Sequence, residues 1–333
     1  MNNPIKEIFK LGFPWQTEDP FLFCVYHLDH YPKGKQDMSP DASLEGRNLG
    51  NDFTVKDGWR MYHGQTIPGF PAHPHRGFET ITIVNKGFCD HSDSLGAAGR
   101  FGEGDVQWMT AGKGVQHCEM FPLVHTDKEN PLELFQIWLN LPKVNKFVEP
   151  HFKMLWHEDI PIIKTDNASI KVIAGHYGKE KAPEPAPDSW ATKADNHVAI
   201  LNIHIAPNGT FTLPKTAVGV NRTLYFYEGD AITIESTNIL PNHGITLDAM
   251  EEVVITAGNS EAHLLILQGK PIAEPVVKYG PFVMNTEAEI QSAMEEYRQT
   301  QFGGWPWRHP DHAHDRDKGR FAKYPDGTLV EKT

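Results

Sequence analysis

Along most of this chain apolar residues recur at every second position rather than every third or fourth. Phe21 to His27 alternates, as does Val198 to Ile205, and Ser169 to Gly175 and Arg222 to Tyr227 read as further strands. Between Glu133 and Leu141 the run is clearer, with Phe135, Ile137, Leu139 and Leu141 on one parity. Side chains alternate across an extended strand, so these runs predict strands with one face turned to a core. Trp59, Met61 and His63 share a parity and mark a further strand. The breaks carry Gly, Pro, Asp and Ser: residues 31–51 read as a loop, and 87–100 as a hairpin with a Gly-rich turn. The segment 178–195, with Pro183, Pro185 and Pro187, reads as an exposed loop. Helical spacing stands out near the end. Thr286-x-x-Glu289 is a capping box, followed by Ile290, Ala293, Met294 and Tyr297, and the helix runs out near Phe302-Gly303-Gly304. The expected class is all-β with a short C-terminal helix and a tail.

One inward face is not apolar throughout. In the run from His73 to Val84, His73, His75, Glu79, Ile81 and Ile83 share a parity, opposite to Thr80 and Thr82. Some forty residues on, Val115, His117, Glu119 and Phe121 share another. Burying such imidazoles and carboxylates without partners costs several kcal/mol, and one divalent metal satisfies them together. With 18 histidines in 333 residues, roughly one His-x-His is expected by chance. Two occur, at 73/75 and 312/314, so the motif alone carries little. Its strand context, the matching His117-x-Glu119 and the Gly-rich turns around both carry the metal reading. Three neutral imidazoles and a carboxylate suit Fe(II), Mn, Ni, Zn or Cu. Cys118 lies between His117 and Glu119 and points the other way by alternation.

The first stretch, His73-x-His75-x3-Glu79 followed by a strand and Gly87, resembles the first motif of the cupins. Gly104 through Thr110-Ala111-Gly112 to His117 resembles a loosened second motif. More narrowly, Phe70 to Thr80, Gly104 to Gly112 with His117-Cys118-Glu119-Met120, and Tyr279-Gly280-Pro281-Phe282-Val283-Met284-Asn285-Thr286 resemble the pirin family over nearly the whole chain. The resemblance implies two stacked cupin (jelly-roll) β-barrels, a bicupin. The expected domains are a metal-bearing barrel over 1–145, a barrel without a metal over 146–302 that ends in the helix, and a tail over 303–333. It assigns His73, His75, His117 and Glu119 as ligands and implies iron, Fe(II). Glu79 competes, since it matches the ligand glutamate of the general cupin motif. It stands four residues from His75, about 13 Å along an extended chain at about 3.3 Å per residue. Glu119 is therefore favoured, and Glu79 is expected to orient an imidazole N–H.

The second half echoes the first. Thr256-Ala257-Gly258 matches Thr110-Ala111-Gly112, and each glycine is followed five residues on by a histidine, His117 and His263. The same register sets Leu265 against Glu119, and aligning Gly87 with Gly229 sets Lys215 against His73 and Ala217 against His75. The second barrel is therefore expected to lack a metal, with His263 hydrogen-bonded in its core. In the tail, Trp305 and Trp307 suggest an anchored start, and His309, His312 and His314 among Pro, Asp and basic residues suggest a surface-laid or partly disordered remainder.

Net charge is 31 − 43 = −12 with no basic run, which argues against direct nucleic-acid binding. Three scattered cysteines, Cys24, Cys89 and Cys118, suit a reducing compartment. The first residues show no apolar signal core and no run reaches membrane-span length, so a soluble cytoplasmic protein is expected. The family resemblance implies an oxidoreductase that opens a flavonol such as quercetin with O2, a quercetin 2,3-dioxygenase. In that reaction Glu119 takes the substrate hydroxyl proton. The alternative is an iron-dependent redox-sensing regulatory protein acting on a protein partner.

Overall fold

The computed structural model describes residues 3–332. The chain divides into two compact units that interleave along the sequence. One comprises Tyr26–Gln136, Leu141–His157 and the chain from Glu274 onward; the other comprises residues up to Val25, Ile137–Asn140 and Glu158–Ala273. The C-terminal helix and tail thus fall in the unit that carries His73. The boundaries expected at 145/146 and 302/303 divide the chain differently.

In the His73 unit a six-stranded sheet runs in the order Leu329–Lys332, Arg320–Lys323, Ala98–Gly102, Phe88–Asp93, Val115–Met120, Gly69–His75. A five-stranded sheet runs His151–Leu155, Val106–Thr110, Phe78–Lys86, Asn130–Asn140, Phe21–Tyr31, its last two strands contributing residues to both units. Trp59, Phe101, Phe121, Leu134 and Met154 are among the side chains of the core cluster, each fully buried apolar side chain favouring the fold by about 1.5–3 kcal/mol. Asp93 shapes the hairpin, expected over 87–100, that pairs Phe88–Asp93 with Ala98–Gly102; its Oδ1 accepts from the backbone N–H groups of Leu95 and Ala97, both at 2.9 Å. The segment 59–63 is not a strand; isolated bridges, Asp52 to Tyr62 and Lys56 to Trp59, hold it.

The single run read from His73 to Val84 is two strands. The chain turns at Arg76-Gly77, where Gly77 has φ +85° and an added Cβ would stand 2.0 Å from the Val283 carbonyl oxygen. His73 and His75 therefore lie in one sheet and Glu79 in the other, so parity does not carry across the turn.

The helix forms at Glu287–Thr300 with the expected capping box on Thr286 and Glu289. Ile290 and Ala293 pack with Phe282, Met284 and Phe302. The tail is more ordered than its composition suggested. Arg320–Lys323 pairs antiparallel with Ala98–Gly102. Buried Arg100 grips Asp90 with two 2.7 Å bonds and donates to the backbone carbonyls of His314, Asp315, Arg316 and Lys318. An open strand edge and a buried guanidinium give the tail partners that its own sequence does not reveal.

In the other unit a seven-stranded sheet includes His243–Leu247, Asn221–Glu228, Ala262–Gly269 and Ala199–Ile205 in that order, and a four-stranded sheet includes Thr210–Leu213 beside Val253–Ala257. The topologies of the two units correspond. Val253–Ala257 pairs with Thr210–Leu213 as Val115–Met120 pairs with Gly69–His75. His263 lies on Ala262–Gly269, the counterpart of Asn130–Asn140. The match of His263 to His117 is thus one strand out, because Thr-Ala-Gly marks a local turn and recurs after different strands. His263 is also half-buried rather than in the core, hydrogen-bonded to Glu261 at 2.7 Å.

Candidate metal centre

Two neighbouring strand ends build the centre. Gly69–His75 and Val115–Met120 pair antiparallel with His73 directly opposite His117, and a bulge between Phe70 and His73 adjusts the register. His75 is two residues along on the same face. The three imidazoles offer ligand atoms that all lie within 4.8 Å of one another. His117 is wholly buried, and its Nε2 has no hydrogen-bond partner.

The neighbours fix which nitrogen carries each proton. His73 Nδ1 lies 2.9 Å from the Pro71 carbonyl oxygen, which can only accept, so the proton sits on Nδ1 and Nε2 keeps its lone pair. His75 Nδ1 faces the Pro281 carbonyl at 3.4 Å in the same sense. Behind His117 stands a two-step chain. Asp93 Oδ2 accepts from His91 Nε2 at 3.2 Å, which leaves His91 Nδ1 as an acceptor for the proton on His117 Nδ1, 3.4 Å away. The proton on Nδ1 thereby leaves each Nε2 with its lone pair, the form a metal takes. Burial disfavours their protonation: His73 is lowered to about 4, and His75 and His117 well below the usual histidine value, each further depressed by neighbouring imidazoles.

Glu119 stands beside this group, its Oε2 3.9 Å from His117 Nε2. Gln136 Nε2 donates to Oε2 at 2.9 Å, and Thr82 Oγ1 donates to Oε1 at 3.0 Å. Burial raises its pKa, opposed by the Thr82 hydroxyl, the His91 ring and the Gln136 amide. Glu79, also wholly buried, accepts from Thr110 Oγ1 at 2.8 Å on the opposite sheet. Cys118 turns away, its thiol 3.5 Å from the His312 carbonyl oxygen.

The residues that follow and precede the ligand candidates are tied to the helix. Arg76 is buried, donates from Nε to the Lys113 carbonyl at 2.5 Å, pairs with Glu296 at 2.8 Å and lies over the Phe302 ring at 4.4 Å. Tyr297 donates its hydroxyl to Gln116 Oε1 at 2.6 Å.

The sequence reading, which makes 87–100 a hairpin, does not reach the His91–Asp93 pair as the support of His117. The signal was present: His91-x-Asp93 repeats the one-apart spacing of His117-x-Glu119 in a predicted strand. A second group of metal-capable side chains, His204, Glu261 and His263, lies on the other unit with partial exposure. Its two rings stack at 4.0 Å and 11°, and parallel stacked rings cannot both aim an in-plane lone pair at one ion.

Two jelly-roll units of matching topology, one with three clustered imidazoles at the ends of paired strands, define a cupin with two domains. The family model for pirin matches residues 16–139, and that for the pirin C-terminal cupin domain matches residues 200–303. The chain belongs to the pirin family. It is 36% identical to a Pseudomonas aeruginosa protein named "Putative quercetin 2,3-dioxygenase PA2418", over 90% of this chain and 92% of that one. It is 33% identical to pirin of Homo sapiens, over 73% of this chain and 80% of that one. A crystal structure of quercetin 2,3-dioxygenase from Acinetobacter baumannii superposes with a TM-score of 0.70 at 25% identity, covering 90% of this chain and 98% of that one. No helix among the described residues is long and apolar enough to cross a membrane.

Proposed function

We propose that this pirin-family cupin holds one iron ion on His73, His75, His117 and Glu119 and opens a flavonol ring with O2, as a quercetin 2,3-dioxygenase. The observation that carries the proposal is the buried, unpartnered Nε2 of His117 among imidazoles whose protons are all held on Nδ1. That donor set fits a divalent ion with borderline-soft preferences, iron first, with Mn, Ni, Zn or Cu as the other metals it suits. When bound, ferrous iron supplies the redox chemistry with O2 and acidifies a hydroxyl placed against it.

The chain's own residues do the rest. Burial keeps the three imidazoles neutral, as ligation requires, and Pro71, Pro281 and His91 hold their rings in place. Glu119 accepts the 3-hydroxyl proton of the flavonol, and its raised pKa suits it to hold that proton through the reaction. Flavonol plus O2 yields a depside and carbon monoxide, which balances without a further reductant. The relatives named for quercetin support this substrate class.

A second reading rests on the links from Arg76 to Glu296 and from Gln116 to Tyr297, which join the neighbours of His75 and His117 to the helix. Through them a change in iron charge reaches a partly exposed helix, as a redox-sensing regulator that binds a protein partner requires.

Oxygen uptake with quercetin by anaerobically Fe(II)-loaded protein tests the first reading, beside His117→Ala treated identically. Native uptake matched by flavonol loss, absent in the variant, is the expected result. No uptake by native protein that holds one iron per chain refutes the enzyme reading and favours the regulator.

A further inference from the structure

The second unit carries a chemistry of its own at one end of its sandwich. A cavity of about 510 Å³ opens there, formed partly by the loop at 175–185. Leu224 and Phe226 belong to that unit's apolar core, as do Leu264 and Ile266 on the neighbouring strand. The same parities run on to Arg222 and Gln268, which therefore face inward at the ends of their strands and line the cavity.

An inward arginine in an aliphatic core is unusual, and this one is incompletely partnered. Arg222 is buried; its Nε donates to Gln268 Oε1 and its Nη2 to the Pro214 carbonyl, both at 2.8 Å. Both acceptors are neutral, and Nη1 is buried with no hydrogen-bond partner. A charged donor left unmade in the interior is unfavourable, and a bound anion would complete it. Burial pulls the guanidinium down to about 10, against the opposing pull of Asp248.

The surroundings favour an anion with an apolar body. Exposed Lys179, Lys181, Lys193 and Lys215 line the cavity against two acids, Glu184 and Asp195, and Glu184 is already paired with Lys181 at 2.6 Å. This is a basic mouth on a chain of net charge −12. The deeper wall is apolar, with Leu201 and Leu213. The cavity lies at the connection between Thr210–Leu213 and Asn221–Glu228, the topological counterpart of the turn after His73 and His75 in the other unit.

We propose that this mouth binds a small organic carboxylate, its carboxylate on Arg222 and its apolar body along Leu201 and Leu213. One free guanidinium donor and apolar walls suit a carboxylate better than a bare phosphate, which needs donors on three oxygens. The exposed lysines raise the local concentration of anions.

Isothermal titration of the full chain with 3-phenylpropanoate tests the proposal, with 3-phenylpropanamide and inorganic phosphate as comparison probes. We expect saturable binding at one site per chain, and binding about tenfold or more weaker for the amide and for phosphate. Arg222→Gln should weaken 3-phenylpropanoate by about tenfold or more, and Lys215→Glu by about threefold. Affinity should be the same after dialysis against EDTA, since a carboxylate captured by a metal in the other unit would lose its site. No saturable binding, equal binding of the amide or of phosphate, or loss on EDTA treatment overturns the proposal. So does unchanged affinity in a folded Arg222→Gln. If circular dichroism shows that variant unfolded, the rim variant decides: unchanged affinity in Lys215→Glu then overturns it.

Discussion

The support behind His117 makes a quantitative prediction. His91→Phe removes the acceptor for His117 Nδ1–H and the donor to Asp93. It retains an aromatic ring where His91 now stacks on Phe152 at 5.0 Å and 20°, and Asp93 keeps its bonds from Leu95 and Ala97. With the acceptor gone, nothing favours the tautomer with a bare Nε2, and the ring is freer to turn. Loss of a partner that orients a ligand histidine lowers metal affinity by about 10–100-fold, or about 1.4–2.7 kcal/mol. The Nδ1–Nδ1 separation of 3.4 Å is long for a hydrogen bond, which points to the lower end of that range. Anaerobic titration of Fe(II) against a chromophoric chelator measures the affinity, and thermal unfolding of metal-free protein reports the fold. An affinity within about twofold of native, in a variant that remains folded, refutes the tautomer chain and with it His91 as the support of His117.

Two further outcomes follow from the same unit. Tyr62 donates its one proton to Asp29 at 2.6 Å, so His27 Nδ1–H must donate to the phenol oxygen at 2.7 Å, and burial with the Arg60 charge lowers His27 to about 3. Below pH 6.5 the unfolded chain takes up this proton and the folded chain does not. Stability is therefore lost as pH falls from 6.5 towards 3, by about 1.4 kcal/mol per unit and up to about 5 kcal/mol in all. His27→Gln should show a correspondingly flatter pH dependence in urea unfolding, and identical slopes would count against a neutral buried His27. Gly77→Ala places a Cβ 2.0 Å from the Val283 carbonyl oxygen at φ +85°. The left-handed backbone alone costs about 1–2 kcal/mol, and the forced shift of the 281–284 segment adds to it. Denaturant melts should show a loss beyond that figure together with weaker metal binding, since Pro281 orients His75; a change under about 0.5 kcal/mol would show that the turn is not constrained as described.

Alternation along the sequence was enough to read an all-β chain, and it picked out His73, His75 and His117, which the fold brings within 4.8 Å. It says which face a side chain takes within a strand and nothing about which sheet the next strand joins. That is why the parity Glu79 shares with His73 and His75 does not put the three on one face: the turn at Gly77 sends Glu79 to the other sheet. The same limit applies to His263: a turn tripeptide resembles its counterpart locally, while strand identity is decided by long-range pairing. The tail's order depends on Arg100 and the edge strand more than two hundred residues earlier, partners that composition cannot register. The helix was legible because a capping box and an i, i+3, i+4 stripe are both local. Its place beside Arg76 and Gln116 was not, because that depends on contacts some two hundred residues apart in the chain.

The unit that carries the three imidazoles begins at Tyr26 and is completed only by the chain after Glu274. Protein synthesis runs from one end, so a growing chain displays His73, His75 and His117 long before Pro281, Glu296 or Tyr297 exists to steady them. The intervening unit can mature on the ribosome while the imidazole-bearing strands wait open-ended. Translation then fixes the order of events. A chain halted at Ala273 holds every residue of the second unit and lacks the segment that steadies the three imidazoles.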